Sequence, residues 1–239
     1  MKNTYYETLD KNFNEALNLL EGNFSHNELV SMLENGNIPQ KQFAALQIST
    51  LNSKEEALSL LHNLVGQDGK IREAVSLKIR ELTANPDYFK LFNMIDMKEL
   101  SDYFFDAIID INGNICRNIL DVLPLFKNNN EFTKFFTNKL VNEIFKLLDV
   151  IKDFDIQDGK YKINKEIFKL YWELEAVNIF YDKIDREALK RIIRTTSTTD
   201  EYTIREKTAK ILSNPLIDED LLQIKSGLKN DKNYYVRRF

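Results

Sequence analysis

The chain has 239 residues, of which 43% are hydrophobic and 29% are charged, and its formal net charge is −4. This composition is typical of a folded protein with a substantial core and excludes a disordered, low-complexity chain. The sequence contains only 7 Gly and 4 Pro. That is little turn chemistry for the tight hairpins of an all-β protein, so the composition favours helices.

The sequence also bears on location. No segment approaches the ~18 consecutive apolar residues of a membrane span, and the first residues form no apolar signal segment. Cys116 is the single cysteine, so it has no intramolecular disulfide partner. We therefore expect a cytoplasmic protein that has no membrane contact.

The helix starts are marked by Ser or Thr three positions before Glu, which is the spacing of a capping box. These pairs are Thr4 with Glu7, Ser25 with Glu28, and Ser53 with Glu56. The first helix ends at Gly22 and is expected to cap the structure. Helix pairs are then predicted at 25–36 with 39–51, 53–65 with 70–83, 97–111 with 114–126, 130–152 with 164–181, 185–195 with 201–213, and 218–229 with 232–239.

Three features interrupt this series. A short extra helix is expected from Pro86 to about Met94, because proline fits the first turn of a helix. Pro124 is expected to end or kink its helix near residue 123. The long pair at 130–181 contains a segment, 153–164, whose Asp-Gly turn predicts a small hairpin-like insertion. Its second helix is apolar on two faces and should pack on both sides.

Several turns share one pattern. Leucines end a first helix, an Asp follows in the turn, and Ile or Val with Arg opens the second helix. The matching residues are Asp68, Ile71 and Arg72; Ile115 and Arg117; Asp200, Ile204 and Arg205; and Asp231, Val236 and Arg237. The pattern resembles the HEAT-like and armadillo-like α-solenoid repeat family. This resemblance implies that Asp and Arg side chains bond between neighbouring repeats.

The repeat pattern predicts an all-α fold, a right-handed α-α superhelix (solenoid) of about six helical pairs with an N-terminal capping helix. We expect a single domain over 1–239. It comprises an N-terminal cap at 1–22, first repeats at 25–126, a long irregular pair at 130–181 and C-terminal repeats at 185–239. The last helix is expected to be abbreviated. An end left open in this way predicts a homodimer through the C-terminal end.

The sequence offers few groups for metal or nucleophilic chemistry. His26 and His62 stand in no metal-ligand spacing, and no Gly-rich phosphate loop is present. Cys116 is expected to be a small buried hydrophobe, because no His lies near it in the repeat pattern. We predict no catalytic residues, no metal site and no cofactor.

One pair of carboxylates needs a separate assessment. Glu173 and Glu175 stand beside Trp172, and paired carboxylates can do acid-base chemistry. On a helix, however, residues two apart point in different directions. We therefore expect Trp172 to lie in the core and both glutamates to lie on the surface.

Basic and aromatic residues near the C-terminus are the candidate partner-binding groups. Residues 183–239 hold 13 Lys and Arg against 9 Asp and Glu. Arg186, Lys190 and Arg194 are spaced by four and form one stripe, with Arg191 beside it. This stripe either meets an acidic or phosphorylated partner or is an ordinary solvated face. A second candidate group contains Tyr234, Tyr235, Arg237 and Arg238, with Phe239 following, and such residues often anchor interfaces.

We therefore predict a non-enzymatic protein interaction module or scaffold. Its expected partner is a protein or peptide that lies on the concave face formed by the second helices. The alternative comes from the resemblance, because one branch of the family looks like alkylpurine DNA glycosylases that hold DNA in this groove. The acidic net charge disfavours nucleic acid, since such a groove must neutralise several phosphates.

Overall fold

The structure is a computed structural model. It describes residues 2–152, 160–215 and 218–239, and these residues form helices and no strand. Fourteen helices are present in this part of the chain. They are α1 (Lys2–Glu21), α2 (His26–Asn35), α3 (Ile38–Gln47), α4 (Lys54–His62), α5 (Gly69–Thr83), α6 (Pro86–Phe92), α7 (Met97–Ile108), α8 (Gly113–Phe126), α9 (Asn130–Lys152), α10 (Lys160–Phe180), α11 (Arg186–Thr196), α12 (Tyr202–Leu212), α13 (Glu219–Lys229) and α14 (Tyr234–Arg237). The all-α class is confirmed. Among the described residues, none of these helices combines the length and the apolar character that a membrane crossing requires.

Two of the three predicted helix starts have local causes in the structure, whereas the start predicted at Thr4 was wrong because α1 already begins at Lys2. The Oγ of Ser25 accepts from the backbone N–H of Glu28, and the Glu28 side chain accepts from the N–H of Ser25, which completes a capping box. At α4, the Oγ of Ser53 accepts from the N–H of Glu56 at 3.3 Å. Here the Glu56 carboxylate accepts from the N–H of Asn52 at 2.8 Å. The reciprocal bond is thus displaced by one residue.

Two sequence predictions about irregular segments had different outcomes. Pro124 was expected to end or kink its helix near residue 123; the helix does not end there, because α8 continues through Pro124 to Phe126, and the kink stays a prediction. Proline here lacks one N–H within the last turn, where few further bonds are lost. A hairpin-like insertion was predicted at 153–164, and its residues 153–159 lie outside the described part of the chain. Residues 160–164 belong to α10.

The chain divides into two compact units. The first contains residues 1–107 and 112–122, and the second contains residues 108–111 and 123–239. The boundary between residues 122 and 123 falls within α8. A single domain over 1–239 stays a prediction.

In the first unit, several helices contact the next helix but one along the chain. Helix α3 contacts α1, α2 and α5, and α4 contacts α2, α5 and α6. A buried polar contact joins the pairs, because the side-chain amide of Asn63 donates to the carbonyl oxygen of Leu33 at 3.1 Å. The Nζ of Lys41 donates to Asn63 Oδ1 at 2.9 Å. These contacts stack one helix pair against the next.

The second unit has the same kind of packing. Helix α12 contacts α10 on one side and α14 on the other, while α11 contacts α9 and α12. A run of buried aromatic rings forms the core near α9, with ring centroids 5.0 to 5.5 Å apart: Phe126, Phe132, Phe136 and Phe180. Helix α10 contacts both α9 and α12, as its two apolar faces predict. Helix α12 lies in the interior, and its residues 204–209 are buried.

Candidate functional site

The predicted basic stripe of α11 faces acidic residues at the start of α13. Arg186 Nε donates to Asp218 Oδ2 at 2.6 Å. Lys190 Nζ lies 3.1 Å from Asp218 and 3.2 Å from Asp220. Arg194 Nη2 lies 3.0 Å from Asp220. The three stripe cations thus share two carboxylates, so most of their charge is neutralised inside the second unit.

Arg191 is exposed and takes a different partner. Its guanidinium lies 4.3 Å from the centroid of the Phe145 ring on α9. This distance is typical of a cation–π contact. Arg191 therefore helps to hold α11 against α9, and its grouping with the stripe stays a prediction.

A cleft of about 520 Å³ lies beside this stripe. Its walls combine apolar side chains with charged ones, including Leu189, Ile193 and Asp182. The Asp182 carboxylate is 2.6 Å from Lys127 Nζ. Burial raises the pKa of Asp182, but the bond from Lys127, a backbone hydrogen bond and the charges of Lys127 and Lys183 together lower it, so the net shift is downward. The charged groups at the rim are thus engaged with one another.

The aromatic residues near the C-terminus form an exposed cluster, which we call the C-terminal patch: Tyr202, Tyr234, Tyr235, Arg237 and Arg238. The exposed fractions of the tyrosines are 40%, 66% and 51% in chain order. The Tyr235 ring lies 5.8 Å from Tyr234, nearly edge to face, and 6.4 Å from Tyr202. Tyr202 was not among the residues predicted from the sequence. It stands at the start of α12, 33 positions before Tyr235. The two rings come together because α12 and α14 pack against each other.

The two arginines of the C-terminal patch have unequal surroundings. Arg238 Nη2 donates to Glu206 at 2.5 Å, and its guanidinium lies 5.5 Å from the Tyr235 ring. Arg237 Nη1 donates to the carbonyl oxygen of Asp231 at 2.6 Å, and Arg237 is exposed. Arg238 is thus held by a carboxylate, whereas Arg237 is held by backbone alone among the described residues.

A buried ion pair stands behind this patch. Arg205 of α12 chelates the Asp231 carboxylate, with Nε–Oδ2 at 2.6 Å and Nη2–Oδ1 at 3.1 Å. The two side chains are only 8% and 9% exposed. The hydrogen bond with Arg205 lowers the pKa of Asp231, and the same bond raises the pKa of Arg205. This bond joins the turns that precede α12 and α14, and membership of the repeat family stays a prediction.

The carboxylates beside Trp172 differ from the sequence expectation. Trp172 is buried as expected, but the prediction that both glutamates lie on the surface was wrong. Glu173 is only 1% exposed, and Glu175 bonds to Lys207 and Lys210 of α12 at 2.6 and 2.7 Å. Burial opposes ionisation of Glu175, but these lysines lower its pKa overall.

Glu173 is the most unusual ionisable group in the second unit. Its pKa is raised well above the ordinary value, mainly because burial disfavours the charged form. The negative charges of Glu143 and Glu166 raise the pKa further, and the positive charge of Lys169 partly offsets this shift. Within the described residues, Glu173 Oε2 and Trp172 Nε1 have no hydrogen-bond partner. A carboxyl group enclosed in this way is unreachable for a substrate unless the helices separate, so it does not make an active site.

The described residues contain no cluster of three or more His, Cys, Asp or Glu side chains arranged to hold a metal ion. His26 Nε2 lies 3.0 Å from Glu56, and His62 lies 3.9 Å from Glu99. Cys116 is buried, as expected for a small hydrophobe. Comparison with family models, with curated proteins and with solved structures finds no match to this chain, so no relative indicates its function.

Proposed function

We propose that the protein is a non-enzymatic interaction module, and that its C-terminal patch binds a protein or peptide partner. The observation that carries this proposal is a cluster of three exposed tyrosines, in which Tyr235 contacts the other two, with two arginines that follow it in the sequence. Tyr and Arg anchor protein interfaces more often than other residues, because they offer large contact areas together with polar groups.

The packing of the helices supports an α-solenoid arrangement within each unit. In the second unit, α10, α12 and α14 follow one another, and Arg205 bonds to the Asp231 turn of the next pair. Stacked repeats expose extended surfaces that bind partners without a buried polar site. Because residues 204–209 of α12 are buried, we place the partner at the starts of α12 and α14 and not along α12. The right-handed superhelix remains part of this proposal, whereas a partner on the concave face of the second helices stays a prediction from the sequence alone.

The proposal predicts that the Tyr234→Ala/Tyr235→Ala variant loses its partner. We expect the affinity to fall by about 30-fold, which corresponds to the ~2 kcal/mol of an interface hot spot. Affinity capture from a host lysate, read out for both protein and nucleic acid, identifies candidates. Titration of the purified components then measures the affinity.

The matched control is Tyr88→Ala, which removes a half-buried tyrosine from α6 in the first unit. It should retain the partner. Equal affinity of wild type and the double variant for every purified candidate would contradict the proposal. Circular dichroism of each variant distinguishes a lost interface from a lost fold.

A further inference from the structure

The second helices of the last two pairs, α12 and α14, each carry an arginine at their fourth residue. Both arginines are anchored in the same way. Arg205 Nη1 donates to the carbonyl oxygens of Thr199 and Asp200, each at 2.8 Å. Arg237 Nη1 donates to the carbonyl oxygen of Asp231 at 2.6 Å. In both cases, one nitrogen of the guanidinium is fixed on the turn that precedes its own helix.

The other edge of the Arg205 guanidinium shows what such an arginine binds. Its Nε and Nη2 hold the two carboxylate oxygens of Asp231, which belongs to the turn of the next helix pair. Asp231 Oδ1 also accepts from the backbone N–H of Asn233 at 2.7 Å, just before α14. The ligand of Arg205 is therefore an aspartate that is itself held in a turn before a helix.

The corresponding edge of Arg237 is open. Among residues 11–151, 165–215 and 218–239, no hydrogen bond to Arg237 Nε or Nη2 and no ion pair of Arg237 is present. Arg237 is exposed, and so are Tyr234 and Tyr235 beside it in the sequence. Tyr234 stands three residues before Arg237 on α14, a spacing that makes side chains neighbours on a helix, and a neighbouring ring that excludes water strengthens a charged hydrogen bond.

We infer that Arg237 and the adjacent tyrosines bind a partner helix whose preceding turn carries an aspartate, as Arg205 binds Asp231. The inference rests on the proposed function, because it names the class of partner for the C-terminal patch. The charges favour a single carboxylate. Arg238 is already engaged by Glu206 at 2.5 Å, so one open guanidinium remains, whereas a nucleic acid requires several cations.

The test uses a turn of this protein as the probe. A peptide of residues 218–239 contains α13, the Asp231 turn and α14, and a lactam staple within α13 keeps it helical, as checked by circular dichroism. Its matched control carries Asp231→Asn. Titration of the full-length protein, followed by the arginine Nε–H resonances in NMR spectra, should shift the Arg237 signal. We expect the Asp peptide to bind about tenfold more tightly than the Asn peptide.

Variants of the full-length protein identify the arginine that is responsible. Arg237→Gln should lower the affinity for the Asp peptide about tenfold, while Arg238→Gln should change it less than twofold. Because Arg237 is exposed, the substitution should leave thermal unfolding unchanged. A peptide that exchanged with the protein's own α13 and α14 would depend on Arg205 and not on Arg237, so the Arg237→Gln variant excludes this alternative.

Several results would overturn the inference: equal binding of the Asp and Asn peptides, no binding at millimolar concentration, or no effect of Arg237→Gln. Sedimentation that shows a dimer lost in Arg237→Gln would also overturn it, because the occupant would then be a second copy. These results differ from a failure of the proposed function. That failure would appear as unchanged capture by the Tyr234→Ala/Tyr235→Ala variant.

Discussion

At the scale of single residues, burial decides the chemistry of the charged groups. Asp231 is buried with a bidentate arginine and has a lowered pKa, whereas Glu173 is buried without a cationic hydrogen-bond partner and has a raised pKa. Removal from water opposes ionisation of both carboxyl groups, but at Asp231 the hydrogen bond from Arg205 outweighs it. The difference lies in the neighbours that each helix provides.

The raised pKa of Glu173 predicts a dependence of stability on pH. The pKa of glutamate in an unfolded chain is about 4.3. In the folded protein, Glu173 keeps its proton to a higher pH. The contribution of this proton to stability is therefore complete below the unfolded pKa and is lost as the pH rises through the folded pKa. The free energy of unfolding should fall by about 1.4 kcal/mol for each unit by which the folded pKa is raised. Glu173→Gln should abolish this loss.

Urea unfolding of wild type and Glu173→Gln across a pH series measures this effect. The exposed Glu131 on α9 supplies the control, since Glu131→Gln should leave the pH dependence nearly unchanged. Parallel pH profiles for wild type and Glu173→Gln would contradict the prediction. They would mean that Glu173 is ionised in the folded protein despite its burial.

At the scale of helices, ion pairs between α10 and α12 connect adjacent helix pairs. Glu175 binds both Lys207 and Lys210, and Lys207 Nζ also lies 4.2 Å from the Tyr171 ring. Burial alone lowers the pKa of Lys207, but hydrogen bonds and charge interactions with Glu175 and Tyr171 together raise it, so the net shift is upward. A lysine that is only 8% exposed depends on this carboxylate.

Glu175→Gln should therefore lower the free energy of unfolding by about 3 kcal/mol, because it leaves the Lys207 charge buried without a counterion. Denaturant unfolding measures the loss. Glu166→Gln is the matched control, since Glu166 pairs with Lys169 within α10 itself at 3.1 Å. Its effect should be within about 1 kcal/mol. Equal effects of the two substitutions would show that the α10–α12 contact does not depend on this ion pair.

At the scale of the molecule, many of the cations in residues 183–239 are paired with carboxylates of the second unit. The α11 stripe is paired with Asp218 and Asp220, Arg205 is paired with Asp231, and Lys207 is paired with Glu175. Cations engaged in this way release few counterions when a nucleic acid approaches. The glycosylase-like alternative stays a prediction that this charge arrangement disfavours.

This arrangement predicts that the protein does not bind duplex DNA at about 50 mM salt. Fluorescence anisotropy of a labelled duplex that contains an alkylated base measures the affinity. Unmodified DNA of the same sequence is the control. Binding that falls steeply as the salt concentration rises would contradict the prediction and favour the DNA-binding alternative.

The positions of the helices could be predicted from the sequence, because their causes are local. Ser25 and Glu28 lie three residues apart and make the cap that starts α2, and the apolar period of α10 indicates its two packed faces. The sequence left open whether Pro124 ends or kinks its helix, and the structure shows that α8 continues to Phe126. Tyr234, Tyr235 and Arg237 were also found from residue type alone.

The sequence by itself thus determined the helical class, most helix bounds and most members of the candidate patch. The tertiary structure decided which charges are neutralised and which remain open. Lys190 meets Asp218, 28 positions later, and Arg205 meets Asp231, 26 positions later. Both contacts depend on how one helix pair packs against the next. Such packing also buries Glu173 and leaves Arg237 exposed, because burial depends on all the neighbouring helices and not on the local sequence.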